Sequence, residues 1–99
     1  MLFPKVCGVD LGTDTIKIKD RSGKKFLYDK NVVALRNDRD VIAVGNDAYE
    51  IFEKNPQNVQ VIWPMSGGVI ANLTEMEIVL SSLLKHFSGA FGSDASLYI

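Results

Sequence analysis

At 99 residues, 46% hydrophobic and 23% charged, the chain has the makings of one small globular domain with a thin core. A net charge of −1, with no basic run longer than Lys24-Lys25, excludes general nucleic-acid binding, which needs a basic face. Cys7 is the only cysteine, so no internal disulfide forms, and no stretch approaches the ~20 apolar residues of a membrane span. The opening MLFPKV has neither a basic region nor a long apolar run, so no signal peptide is expected and the expected location is cytoplasmic.

In chain order, Val6, Cys7 and Val9 form an apolar run closed by Asp10, and Leu11-Gly12-Thr13-Asp14 turns the chain. Thr15 to Lys19 then alternate, with Ile16 and Ile18 on one face, which predicts a β-hairpin. Two readings of its turn stand side by side. Asp, Gly and Thr tolerate turn geometry and need no further role there. The same turn also fits a nucleotide-phosphate loop, in which closely spaced backbone N–H groups cradle phosphate oxygens where Gly12 leaves room. On that reading Asp10 holds a hydrated Mg²⁺ and Lys17 adds a point charge toward the phosphates. Neither G-x-x-x-x-G-K-[ST] nor G-x-G-x-x-G occurs in the chain.

Lys25 to Tyr28 predicts a third strand, and NVVAL (Asn31 to Leu35) and VIAV (Val41 to Val44) two more, joined by a solvated charged turn. Asn46 is the expected N-cap of a short helix that carries Ala48, Ile51 and Phe52 on one face and ends at Asn55-Pro56. Val59 to Ile62 reads as a strand, Trp63 as a packing residue, and Gly67-Gly68 as a turn. Leu73, Met76, Leu80, Leu83, Leu84 and Phe87 recur at helical steps and predict the longest helix, capped by Asn72 or Thr74. His86 suits the last turn of that helix and has no nucleophile or acid in a motif around it. After a Gly- and Ser-rich loop around Phe91, residues 96–99 begin a strand in which the sequence stops, so a longer fold is expected.

Three segments carry a resemblance: Gly8-Val9-Asp10-Leu11-Gly12-Thr13, Val41 to Ala48 (VIAVGNDA), and Pro64 to Asn72 (PMSGGVIAN). Together they resemble the MreB family of bacterial actins, across essentially the whole chain. The third segment is the more specific, because sugar kinases and chaperones of the same fold share the first. The resemblance implies an α/β fold, the N-terminal part of an actin-like ATPase (ribonuclease H-like) domain. Residues 1–30 and 63–99 would form part of a large subdomain carrying the phosphate hairpin, with 31–62 inserted as a small subdomain. It further implies an ATP-dependent filament protein, self-associating and guiding cell shape and cell-wall synthesis.

Carried over by position, Asp10 would bind Mg²⁺ through water. Gly12, Thr13, Asp14 and Thr15 would lie against the ATP phosphates, and Lys17 would contact them. Asp14 stands where the family has a small residue, in a loop one residue shorter. The family's water-activating acid and adenosine pocket have no counterpart in these 99 residues, so the 99 residues alone are expected neither to hydrolyse ATP nor to polymerise normally. Membrane contact, a family trait, would fall to Leu2, Phe3 and Phe91. A non-hydrolysing scaffold of the same fold is the alternative, favoured by Asp14 and the shortened loop. A sugar-kinase-like phosphotransferase comes third.

Overall fold

The computed structural model describes residues 5–22, 24–89 and 95–98. Leu2, Phe3 and Phe91 lie outside these residues. The chain opens as a meander, β1 (Lys5–Leu11), β2 (Thr15–Asp20) and β3 (Phe26–Lys30), each antiparallel to the one before. Alternation in β2 sets its two faces. Ile16 and Ile18 are fully buried, while Lys17 and Lys19 point to the open side.

The NVVAL run becomes β4 (Val33–Arg36), paired on one side with β5 (Asp40–Val44) and on the other with β6 (Val59–Ile62). A continuous apolar run is what a strand buried on both faces requires. Val33 and Leu35 pack with Ile16, Ile18 and the long helix, while Val32 and Ala34 pack on the opposite side with Ala48. The β4–β5 turn places Asn37 and Asp38 at φ 54° and 60°, the left-handed region that these short polar side chains tolerate.

Helix α1 (Asn46–Lys54) crosses from β5 to β6. It ends at Asn55, whose left-handed backbone lets its N–H donate to the carbonyls of Ile51 and Phe52. Trp63 packs edge-on against Phe52 with ring centroids 4.7 Å apart, in agreement with its predicted packing role. The expected cap at Asn46 is corrected. Gly45 holds the cap position at φ 71°, no side chain caps from there, and Asn46 is already helical.

A small hairpin follows, β7 (Met65–Ser66) and β8 (Val69–Ile70), turned by Gly67 and Gly68 at φ 58° and 83°. Pro64 C=O accepts from the amides of Ala71 (2.8 Å) and Asn72 (3.1 Å) and so delivers the chain to α2 (Leu73–Gly89). The helix starts at Leu73, which leaves Asn72 rather than Thr74 at the cap position. Its buried stripe is Met76, Val79, Leu83 and Phe87. Leu73, expected on that stripe, is 61% exposed because it precedes the first turn that reaches the core. Finally β9 (Ala95–Tyr98) pairs in parallel with β1, completing a four-stranded sheet ordered β3-β2-β1-β9.

Candidate functional site

Antiparallel register puts Asp10 directly opposite Lys17, and Gly8 opposite Lys19. Because Ile16 and Ile18 face the core, Asp10, Lys17 and Lys19 share the outer face, and all three are exposed. An open groove of about 300 Å³ runs between Gly8, Asp10, Lys17 and Lys19. Across the next strand Lys17 stands beside Tyr28, with Nζ 5.5 Å from the ring centroid. Asp10 and Lys17 make no ion pair with each other or with any other described residue, so both charges face solvent.

The turn between β1 and β2 is closed by the Gly12 N–H, which donates to the Thr15 carbonyl at 2.8 Å. A Cβ on Gly12 would itself sit 2.8 Å from that carbonyl oxygen, so the turn tolerates only glycine. Two further ties come from distant parts of the chain. The Gly68 N–H, in the β7–β8 turn, donates to the Thr13 hydroxyl at 2.8 Å. Asn31 supplies the other, and it supplies two bonds. Its backbone N–H donates to the Asp14 carbonyl and its Nδ2 to the Gly12 carbonyl, each at 2.9 Å. With these bonds made, the amides of Thr13 and Asp14 remain without an acceptor among the described residues. Two successive uncommitted N–H groups beside an exposed lysine make a small anion-binding concavity.

The structure therefore brings Asp10, Gly12, Thr13, Asp14, Thr15 and Lys17 to one end of one hairpin. Asp14 is exposed at the tip, and Gly12 has its own amide spent inside the turn. Asp10 is an exposed carboxylate without a partner among the described residues, which fits a Mg²⁺ that keeps most of its water and takes further oxygens from phosphates. Among the described residues no three His, Cys, Asp or Glu side chains converge as a metal cage.

Sequence reasoning missed Asn31, which looked like the first residue of a strand. Asn31 is 0% exposed, in contact with Met76 of α2, and its buried Oδ1 has no hydrogen-bond partner among the described residues. Asp29 was missed as well. Its carboxylate accepts from the amides of Lys30 (3.0 Å) and Asn46, supplying from β3 the cap that α1 lacks locally. Desolvation raises the Asp29 pKa above the ordinary carboxylate value. The amides of Asn46 and Lys30 act against that rise, Asp47 adds to it, and His86 opposes it. Only the polar character of Asp29 and Asn31, flanking an apolar run, hints at either role in the sequence.

The profile of the family described as MreB/Mbl protein matches residues 4–96. The chain is 36% identical over 87 residues to the cell shape-determining protein Mbl of Bacillus subtilis, covering 87% of this chain and 25% of that protein. It is 35% identical over 91 residues to the cell shape-determining protein MreB of Escherichia coli K12, with 87% and 25% covered. Among solved structures, MreB5 of Spiroplasma citri bound to ADP superimposes with a TM-score of 0.73 at 22% identity, over 95% of this chain and 28% of that one. The same protein bound to AMPPNP gives 0.70 at 23% identity, over 98% and 30%. The fold is thus shared with these actin-like proteins, and the chain spans about a quarter of the length of its sequence relatives.

Proposed function

This chain belongs to the MreB/Mbl family, and from that premise we propose that it forms the first phosphate-binding wall of an actin-like, cell shape-determining ATPase. The observation that carries the reading is the opposition of Asp10 and Lys17 on one exposed face, beside a turn with two uncommitted amides. The amides of Thr13 and Asp14 take phosphate oxygens, and the hydroxyls of Thr13 and Thr15 line the same turn. Gly12 supplies the sharp bend that brings them together. Lys17 adds charge toward the phosphates, and Asp10 orients the water shell of Mg²⁺. When bound, Mg²⁺ neutralises phosphate charge. Asp10 and Lys17 hold opposite sides of the ligand and fix its orientation.

Phosphoryl transfer rests on positioning and electrostatics contributed by several elements, and this hairpin supplies one of them. The 99 residues are accordingly a nucleotide-binding piece of a filament-forming protein, with turnover left to a longer chain. A second reading, a scaffold of the same fold without hydrolysis, draws on Asp14, whose exposed carboxylate stands at the loop tip where phosphates would lie. Calorimetric titration of Mg·ATP into the folded chain tests both. Saturable binding that a folded Asp10→Ala variant has lost supports the phosphate wall, since Asp10 is exposed and packs in no core. A folded wild type that takes up no nucleotide refutes it and leaves the scaffold.

A further inference from the structure

Among the described residues two donors meet the carbonyls of Gly12 and Asp14 that turn inward at the candidate phosphate loop, and both belong to Asn31. It lies nineteen residues beyond Gly12, with no exposed surface, wedged between the turn and Met76 of α2, where Nδ2 is 3.7 Å from Sδ. The backbone bond to the Asp14 carbonyl depends only on where the β3–β4 corner runs, and any residue at position 31 supplies it. The Nδ2 bond to the Gly12 carbonyl needs a side-chain donor of this length.

The amide orientation is fixed by its surroundings. An Oδ1 turned toward the Gly12 carbonyl would oppose two acceptors, so Nδ2 faces the loop and Oδ1 is left buried, with no hydrogen-bond partner among the described residues. An orphaned buried acceptor is costly, and a residue serving stability alone would be better replaced by an apolar one. Its place beside the loop calls for another reason.

We infer that Asn31 is a positioning residue of the nucleotide site. By holding the carbonyls of Gly12 and Asp14 inward it keeps the peptide planes of the turn in the orientation that leaves the Thr13 and Asp14 amides for an anion. This inference rests on the phosphate-wall reading of the hairpin. A peptide unit is rigid and planar, so pinning a carbonyl on one side fixes the N–H on the other. The Gly12 carbonyl shares its peptide with the Thr13 N–H, so the Nδ2 bond aims one of the two uncommitted donors directly.

The test is the isosteric Asn31→Asp variant, titrated with Mg·ATP while the backbone amide resonances of Thr13 and Asp14 are followed. An ionised carboxylate at this position repels the Gly12 carbonyl, whereas a protonated one donates to it and restores the bond. Binding by Asn31→Asp is expected about tenfold weaker than wild type at neutral pH. The ratio of the two affinities should return toward one as the pH falls and the buried carboxyl takes up its proton. Leu83→Ala, a core variant of α2, serves as the control for lost stability and should bind as wild type does. Asn31→Ser makes the same neutral-pH comparison if Asn31→Asp fails to fold.

Equal binding by wild type and the Asn31 variants overturns the inference, as does a Leu83→Ala variant weakened to the same degree or a ratio unmoved by pH. A wild type whose Thr13 and Asp14 resonances ignore Mg·ATP overturns the phosphate-wall reading itself, and the inference with it.

Discussion

Replacing Gly45 by alanine should be the most damaging single-methyl change in the chain. Gly45 holds φ 71° and ψ −138°, a region that side chains with a Cβ rarely occupy, and forcing one there costs about 1–3 kcal/mol. The added Cβ would also stand 2.6 Å from Oδ1 of Asp29 and 2.7 Å from its Cγ and Oδ2. That carboxylate caps Asn46, so relieving the clash means withdrawing it from the helix, at about 1 kcal/mol more. Together the two effects predict a loss of roughly 2–4 kcal/mol, a large part of the stability of a small domain. Urea unfolding followed by circular dichroism measures it. The double variant Gly45→Ala with Asp29→Ala separates the contributions. With the carboxylate gone the clash disappears, so the double variant should be more stable than the sum of the single losses by about 1 kcal/mol. A Gly45→Ala loss below ~0.5 kcal/mol, or strict additivity in the double variant, would refute the account of this corner.

The burial that raises the Asp29 pKa has a definite sign in stability. The contribution of this group is complete below its unfolded pKa and declines as the pH rises through the higher folded value. Asp29→Asn, which keeps an acceptor for the amides of Asn46 and Lys30, should therefore match or exceed wild-type stability at neutral pH. It should also flatten this acid-to-neutral slope in denaturation midpoints, with Asp47 and His86 left as the charges acting on the site. In α2, Val79→Ala removes two fully buried methyl groups and should cost about 2–3 kcal/mol, whereas Leu73→Ala, 61% exposed, should stay within ~0.5 kcal/mol. Equal losses in thermal unfolding would contradict the assigned helix face.

What the sequence revealed follows the range of the interactions involved. Ile16 and Ile18 disclose β2 because alternation is a property of neighbouring residues. The steps of α2 are visible for the same reason, and so is the strand in NVVAL, although its burial on both faces is not. The hairpin that gathers Asp10, Gly12, Thr13 and Lys17 was equally legible, since the loop and both strands lie within sixteen residues. Asn31, Gly68 and Asp29 were not. Their bonds reach 19, 55 and 17 residues along the chain, and periodicity carries no information at such separations. The local rule makes Asn46 the cap, and a distant carboxylate overrides that rule. The strand at the end of the chain was expected, but its parallel partner β1 was beyond what alternation and turn residues can specify.

The two-sided burial of β4 has a consequence for how the chain comes apart. Val33 and Leu35 belong to the core beneath the phosphate hairpin, and Val32 and Ala34 to the core beneath α1, with a single backbone joining them. Neither core can open to solvent without stripping one face of the same short strand. Amide protons of β4 should thus exchange only through an event that exposes both, and the two sheets should melt as one cooperative unit. A disturbance at Gly45 or Trp63 is then registered under the candidate nucleotide loop as a change in opening rate.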